Sequence, residues 1–202
     1  APAQLCQTNE FALAAVLFIF IPTGLSSLLR PVVGTGIVLS LIEGLIKVFI
    51  LVGYMALCSR MKEIRRVFEY HGAEHKSIAC YEAMEPLTVE NIRPQCRFHP
   101  RCGTSFLFLV ILISIIIGSF ISWKNALLRA AIKLLLIPVV VGIAYELIKL
   151  AGRCDNVLTR VISAPGLWLQ RITTCEPDDG QIECAVAALK AVIPEDENAD
   201  RW

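Results

Sequence analysis

The feature that most constrains the fold of this chain is a set of four long apolar stretches. They cover residues 11–29, 32–58, 104–121 and 130–150. Each is about as long as a helix that crosses the hydrocarbon core of a bilayer. Hydrophobic residues make up 55% of the 202-residue chain, which is more than soluble proteins usually contain. The pattern predicts an all-α membrane protein with about four transmembrane helices.

The distribution of Lys and Arg predicts how these helices are oriented. The chain divides into a first helix pair (1–58), a polar segment (59–103), a second helix pair (104–150) and a tail (151–202). The polar segment contains eight Lys and Arg residues, whereas the connections on the opposite face contain few. Because cytoplasmic connections are enriched in Lys and Arg, we expect the polar segment and the tail to form a helical cap on the cytoplasmic-type side.

All three histidines of the chain, His71, His75 and His99, fall in the polar segment. His71 and His75 are four residues apart, so a helix places both imidazoles on one face, where they can bind one metal ion. Glu74 completes the pattern H-x-x-E-H, the inverted order of a zincin helix. In such sites the glutamate is the general base rather than a ligand. The segment therefore predicts a metal site with Glu74 as its catalytic residue.

Further residues of the polar segment can complete the metal site, above all His99, Cys102 and Glu90. A catalytic site would add His99, or a carboxylate such as Glu90, to the two histidines of the helix and keep a position open for water. A structural site would instead be closed by two of Cys96, His99 and Cys102. A site without metal, in which the histidines satisfy buried carbonyl groups, also stays open. Cys102 is in addition a candidate nucleophile if a histidine lowers its pKa. The mixture of imidazole, carboxylate and thiol favours zinc.

The tail contains signals of amphipathic helices. An amphipathic stretch at 156–163 is followed by Pro165, and Trp168 and Leu169 have the character of an interfacial anchor. A second helix is expected at about 181–192, after an acidic segment that suits a helix N-terminus.

Five sequence words closely resemble those of the YqhQ-like family of bacterial and plastid membrane proteins. The words are Y-H-G-A-E-H-K (70–76), L-T-V-E-N (87–91), H-P-R-C-G-T-S-F (99–106), P-G-L-W-L-Q-R-I-T-T (165–174) and E-P-D-D-G-Q-I-E (176–183). The function of that family is unknown, and metal-dependent enzyme activity has been suggested for it. The resemblance implies a protein with several spans in a bacterial inner membrane or a plastid membrane, with the cap on the cytoplasmic or stromal side. It also hints at a metal, but it implies no substrate. Cys80 and Cys96 lie outside the shared words and are weaker ligand candidates than Cys102.

Together these features favour a membrane-bound metal-dependent enzyme, a hydrolase that acts at the membrane interface through the H-x-x-E-H site. The alternative is a non-catalytic membrane assembly or scaffolding factor with a structural metal site. The expected partner is the lipid bilayer, with other membrane proteins or a second copy of the chain as further candidates. The formal net charge of +1 argues against nucleic acid as a partner.

Glu43 and Lys47 lie within the second apolar stretch and are expected to form an internal ion pair, although they also leave open a weaker transporter hypothesis.

Overall fold

The computed structural model describes Leu13 and residues 16–34, 36–120, 126–153 and 156–194. Within these residues every regular element is a helix, which confirms the all-α prediction. Two helices are long and apolar enough to cross a membrane, namely α1 (Val16–Val33) and α2 (Ile37–Cys58). α1 begins with a π-helical turn at Val16–Phe20 and continues as an α-helix from Ile21.

In the part of the chain that the structure describes, seven further helices follow. They are α3 (Lys62–Glu82), α4 (Val89–Ile92), α5 (Gly103–Ser119), α6 (Ala126–Leu135), α7 (Ile137–Arg153), α8 (Val157–Thr173) and α9 (Asp179–Val192). Of these, α5 is a shorter apolar helix of 17 residues.

The connection between the first two apolar helices lies further along the chain than the sequence predicts. Pro31 lies inside α1, and the backbone leaves the helix at Gly34 (φ +79°) and Gly36 (φ +127°). Positive φ is accessible to glycine at little cost. The two glycines, rather than the proline, therefore determine where α1 ends. Three predicted spans contain residues outside the described part of the chain: 11, 12, 14 and 15 in the first, 35 in the second and 121 in the third.

The fourth predicted span is two helices rather than one. α6 ends at Leu135, and α7 begins after a single turn residue, Leu136. Pro138 lies in the first turn of α7, where a backbone N–H has no acceptor within the helix. The lack of an N–H in proline therefore removes no hydrogen bond there. The proline therefore favours the start of a new helix over a continuous span.

The chain divides into two compact units, of which the first comprises the chain up to Tyr54 together with Leu109–Tyr145. In this unit α2 packs tightly on α5, because a methyl group added to Gly44 would overlap the side chain of Ile115. Glu43 is buried beside this contact and accepts a hydrogen bond from Lys47 at 3.0 Å. The two charges form the ion pair that their four-residue spacing predicts.

The second unit comprises Met55–Phe108 and the chain from Glu146 onward. Its hydrophobic core contains Ala73 and Cys80 of α3, Ile92 of α4 and Ile182 of α9. α8 and α9 each begin with a capping box, in which the N-cap side chain and the side chain three residues later bond to each other's backbone N–H. α8 continues through Pro165 to Thr173, well beyond the predicted amphipathic stretch.

The segment between α8 and α9 crosses α3 at Gly72. A methyl group added to Gly72 would overlap the carbonyl oxygen of Cys175. The N–H of Cys175 donates to the carbonyl of Phe68, one turn earlier in α3, at 2.8 Å. Only a residue without a side chain lets the two backbones approach this closely.

Ion pairs fix the same segment to the polar residues around α3. The buried ammonium group of Lys76 donates to the carbonyl of Arg93 at 2.8 Å and pairs with Glu176 at 2.6 Å. Arg97 is a second partner of Glu176, and Arg93 pairs with Asp179, both at 2.8 Å. The hydrogen bond from Lys76 lowers the pKa of Glu176 below its ordinary value, so this carboxylate stays ionised.

Candidate metal centre

α3 presents His71 and His75 on one face, one helical turn apart. Their ring centroids lie 4.4 Å from each other, with the ring planes at 67°. His75 is buried and His71 is half-buried. The helix therefore holds two imidazoles side by side.

A backbone carbonyl group orients each imidazole. Nδ1 of His71 lies 2.8 Å from the carbonyl oxygen of Thr173, and Nδ1 of His75 lies 2.6 Å from that of Arg97. Because a carbonyl oxygen can only accept, both Nδ1 atoms carry a hydrogen and donate it. The Nε2 atoms are then the ones left to bind a ligand. Metal-binding histidines commonly make this outer hydrogen bond, which fixes the tautomer and the ring orientation.

Cys102 brings a thiol to the same place. It is a buried residue directly before α5, and its Sγ lies 3.2 Å from Nε2 of His71. Thr104 contacts the sulfur with its hydroxyl group at 3.2 Å and donates its backbone N–H to it at 3.4 Å.

The electrostatic surroundings of Cys102 favour the thiolate. Burial alone would raise the pKa of the thiol, but the hydrogen bonds from His71, His75 and Thr104 outweigh burial and lower the pKa of Cys102 to about 5. The hydrogen bond with Cys102 in turn raises the pKa of His71. Cys102 is therefore ionised at neutral pH, which is the form in which cysteine binds metals.

The donor atoms of His71, His75 and Cys102 all lie within 4.8 Å of one another. A tetrahedral zinc ion, with bonds of about 2.0 Å to nitrogen and about 2.3 Å to sulfur, separates two such ligands by roughly 3.5 Å. The 3.2 Å between Nε2 of His71 and Sγ of Cys102 is close to that value. Among the described residues, His71, His75 and Cys102 form the group of histidine, cysteine or acidic side chains whose donor atoms are close enough to bind one metal ion together. The residues present thus fit an ion with three protein ligands.

His99 lies beside this group, but its ring nitrogens have other partners. Its ring centroid is 5.8 Å from that of His75. Nδ1 accepts the backbone N–H of Arg101 at 3.3 Å, and Nε2 faces the carboxylate of Glu82 at 3.4 Å. Burial lowers the pKa of His99. The structure therefore does not bring His99 into the ligand group.

The backbone of His99 is held by Gln170, a fully buried residue of α8. The Gln170 amide accepts the N–H of His99 at 2.8 Å and donates to its carbonyl at 2.7 Å. The same amide donates to the hydroxyl group of Ser105, in the first turn of α5, at 2.9 Å. Cys102 lies between these two attachment points along the chain, so Gln170 fixes the segment that carries the thiol.

The two carboxylates predicted for the site lie in different places. Glu90 is exposed on the short helix α4 and, within the residues described, is not grouped with the histidines. Glu74 is exposed on α3 directly before His75, and its charge contributes to the raised pKa of His71. Glu74 is therefore accessible to solvent next to the buried His75.

Several residues that shape the site were not identified from the sequence. The carbonyl groups of Thr173 and Arg97 have no side-chain signature, so no pattern could have found them. Gln170 lies within one of the shared sequence words, which marks it without revealing its partners.

Among the other thiols, Cys80 is buried in the core, where burial raises its pKa, and Cys96 is exposed.

The sequence was also compared with known proteins. Residues 4–195 match the family DUF1385, described as protein of unknown function. A similar relative is the uncharacterized protein YqhQ of Bacillus subtilis (strain 168), with 38% identity over 185 residues. That match covers 91% of this chain and 58% of the relative, so the chain spans a little over half of the relative's length. No solved structure matches the chain. The chain therefore belongs to the DUF1385 family, a family of unknown function that includes YqhQ-like proteins.

Proposed function

We propose that this protein is a membrane-bound metal-dependent hydrolase whose metal ion is held by His71, His75 and Cys102. One observation carries the proposal. Two imidazoles with their Nδ1–H groups fixed by backbone carbonyls share a small space with a buried thiolate. In their neutral form both imidazoles offer an Nε2 lone pair beside the thiolate, so three donor atoms can share one ion. Two nitrogen ligands and one sulfur ligand suit zinc.

Three protein ligands favour a catalytic over a structural site, since structural zinc sites use four. When bound, the ion would supply Lewis acidity at the reacting carbonyl or phosphoryl oxygen of a substrate. Glu74, exposed beside His75, would accept the proton of the attacking water. The carbonyl groups of Thr173 and Arg97 would keep the two rings oriented throughout.

We also propose that the chain crosses the membrane four times, through α1, α2, α5 and the α6–α7 pair. The ion pairs of Arg93 with Asp179 and of Arg97 with Glu176 join the segment before α5 to the tail after α8, which supports a topology with both on one side of the membrane. An even number of crossings would then separate them, and α5 followed by α6 and α7 would supply two. The many Lys and Arg residues of this side favour the cytoplasm or stroma. The substrate would be a lipid headgroup, a membrane peptide or another amphiphile that reaches the site at the interface.

The zinc content of detergent-purified protein, measured by mass spectrometry, tests the metal site. We expect about one zinc ion per chain in the wild type and none in His75→Ala, because one of three ligands is lost. The matched control is His99→Gln, which changes a neighbouring histidine outside the ligand group and should keep the metal. Equal zinc in the wild type and His75→Ala, or no stoichiometric zinc in protein purified without chelator, would contradict the proposal.

The variant Glu74→Gln tests the catalytic role separately. It should keep its zinc and lose hydrolysis of amphiphilic ester, amide and phosphodiester probes presented in mixed micelles, because the amide cannot accept the proton. Glu63→Gln, at another exposed glutamate of α3, is the control and should keep both properties. Wild-type turnover in Glu74→Gln would exclude Glu74 as the general base.

A second candidate function is a non-catalytic membrane assembly factor. It is favoured by the fact that the site draws on three parts of the second unit: α3, the segment containing Arg97 and Cys102, and Thr173 at the end of α8. A metal ion would cross-link them. In that case His71→Ala should make the second unit sensitive to proteolysis, whereas Glu74→Gln should leave metal content, stability and partner binding unchanged.

A further inference from the structure

Helix α8 has two faces of opposite character. The buried face contains the residues that attach it to the site, among them Gln170 and Thr173. Leu169, expected to belong to an interfacial anchor, is also on this face and is buried to 1% exposure. The opposite face is apolar and exposed, with Val157 at 79%, Leu158 at 62%, Val161 at 64% and Trp168 at 53% exposure.

The four exposed residues, which we call the apolar stripe, form a continuous surface. At about 100° per residue, Val157, Val161 and Trp168 fall within about 40° of one another around the helix axis, and Leu158 extends the stripe to one side. Arg160 and Arg171 are about three turns apart, but they fall at similar angles on the other side of the stripe, and both are exposed. An apolar face that contains tryptophan and is bordered by arginines is typical of helices that lie in the interface of anionic membranes.

The position of α8 within the second unit agrees with this composition. Gly166 packs so closely on Ser105 that an added methyl group would overlap its side chain, and Gln170 bonds to the same serine. α8 thus crosses α5 at its first turn, where Thr104 and Ser105 are followed by a mainly apolar helix. The same unit includes the last turn of α2, the longer of the two candidate spans. A bilayer entered by α5 at this point has its headgroup layer at the level of α8.

We infer that α8 is an interfacial helix whose apolar stripe lies at the boundary between headgroups and acyl chains of an anionic leaflet, while its buried face holds the candidate metal centre. The inference rests on the membrane-bound part of the proposed function and is independent of the metal and of catalysis.

Tryptophan fluorescence in reconstituted protein tests the inference. Trp123→Phe with Trp202→Phe leaves Trp168 as the single tryptophan of the full chain. In vesicles that contain phosphatidylglycerol, Trp168 should be quenched more strongly by lipids brominated near the headgroup than by lipids brominated at the chain ends. It should also be quenched severalfold less by aqueous iodide than a control tryptophan. For the control, Glu183→Trp is made in a chain whose three native tryptophans are phenylalanine, because Glu183 is exposed on the acidic start of α9.

Two results would overturn the inference. If iodide quenches Trp168 as strongly as the control tryptophan, the stripe is in water. If Trp168 is shielded from iodide but is not quenched by brominated lipid, the stripe contacts another protein, such as a second copy of the chain. Replacing phosphatidylglycerol by phosphatidylcholine should reduce the lipid quenching, and unchanged quenching would refute the preference for anionic lipid.

Alkaline carbonate extraction of the same vesicles separates the two proposals. If the protein resists extraction while Trp168 is in water, the proposed membrane-bound function stands and the inferred interfacial helix is wrong. If the protein is extracted, the proposed membrane-bound function itself is wrong.

Discussion

At the scale of single residues, the pairing of Cys102 with His71 makes the site sensitive to pH. Cys102 has a depressed pKa of about 5, so its contribution to folding stability is lost as the pH falls through that value. The pKa of His71 is raised, so its contribution is present below the ordinary histidine value of about 6.5 and is lost as the pH rises through its higher folded-state value. The pair therefore stabilises the metal-free protein most between about pH 5, the folded-state pKa of Cys102, and the raised pKa of His71.

This sign argument gives a prediction for Cys102→Ser. In the presence of chelator, the difference in thermal stability between the wild type and Cys102→Ser should grow as the pH rises from about 5 to about 6.5, because the thiolate forms in the folded state only. The ultraviolet absorbance of the thiolate, taken as wild type minus variant, should appear with a midpoint near pH 5. A midpoint at the ordinary thiol value of about 8.5 would contradict the assigned hydrogen bonds.

Gly72 is the residue at which the tail meets α3, and its replacement should disturb both stability and the site. Gly72→Ala places a methyl group on the carbonyl oxygen of Cys175. We expect a loss of about 1–3 kcal/mol in the free energy of unfolding, typical of overpacking against a contact that cannot relax. Zinc should also bind more weakly, since Thr173 lies two residues before Cys175.

The matched control is Gly180→Ala in the first turn of α9, where an added methyl group meets the Asp178 carboxylate only at an ordinary 3.5 Å. This variant should be neutral or slightly stabilising, because alanine favours a helix more than glycine does. Chemical denaturation in detergent, with zinc content alongside, measures both effects. Equal stability of the two variants would contradict the close approach at Gly72.

The sequence predicted the members of the candidate site only in part, and the reason is visible in individual residues. His71 and His75 were identified because helical spacing alone puts them together. From the sequence we expect His99 to be the third ligand, with Cys102 or Glu90 completing the shell, whereas the structure groups Cys102 with the two histidines. His99 and Cys102 lie three positions apart in irregular chain, and no periodicity relates them to α3. The position of this segment depends on Gln170, which binds the backbone of His99 from 71 residues away.

At the scale of helices, Gln170 connects α8 to the chain around Cys102, and its hydrogen bonds can be removed without changing its size. Gln170→Met leaves the buried N–H and carbonyl of His99 without their side-chain partner. We expect a loss of at least about 2 kcal/mol, since each unsatisfied buried group costs about 1–3 kcal/mol. Zinc affinity should fall roughly 10- to 100-fold, as is common for residues that position ligands.

Gln95→Met is the corresponding control, because Gln95 makes an exposed hydrogen bond with Glu85 at 3.0 Å. Its stability should stay within about 0.5 kcal/mol of the wild type. Chemical denaturation and zinc titration of both variants measure the loss of stability and the loss of zinc affinity. If Gln170→Met retains wild-type affinity for zinc, Gln170 does not position Cys102.

The helices themselves were easier to predict than their ends. Apolar length and amphipathic patterning located most of them, but three prolines do not all occupy the same kind of position. Pro31 and Pro165 lie inside helices, whereas Pro138 lies in the first turn of a new one. Proline removes one N–H and bends a helix, but neighbouring contacts decide whether the helix continues. Those contacts are tertiary and are absent from the local sequence.

At the scale of the whole molecule, the proposed four crossings predict where exposed cysteines can be labelled. Cys96 and Cys184 are both exposed. They lie close in sequence to Arg97 and Asp179, which belong to the ion pairs that join the polar segment to the tail. A membrane-impermeant maleimide should therefore label both cysteines in inside-out vesicles and neither in intact cells or spheroplasts.

Mass spectrometry of the labelled peptides identifies the modified residue. Labelling of Cys96 and Cys184 from opposite sides would contradict an even number of crossings between them. Labelling of both from the outside would keep the topology and reverse the orientation inferred from Lys and Arg.

The hydrogen bond between His71 and Thr173 joins residues 102 positions apart, and this has a consequence for the biogenesis of the protein. The ribosome makes α3 long before it makes the end of α8. His71 therefore has no partner for its Nδ1–H while the chain between the two residues is being synthesised. The arrangement of the candidate site can be complete only after residues 72–173 have been synthesised and folded. The metal binding that we propose would then be a late step in maturation, and a nascent chain stalled before Thr173 would carry its histidines without the orientation that prepares them for an ion.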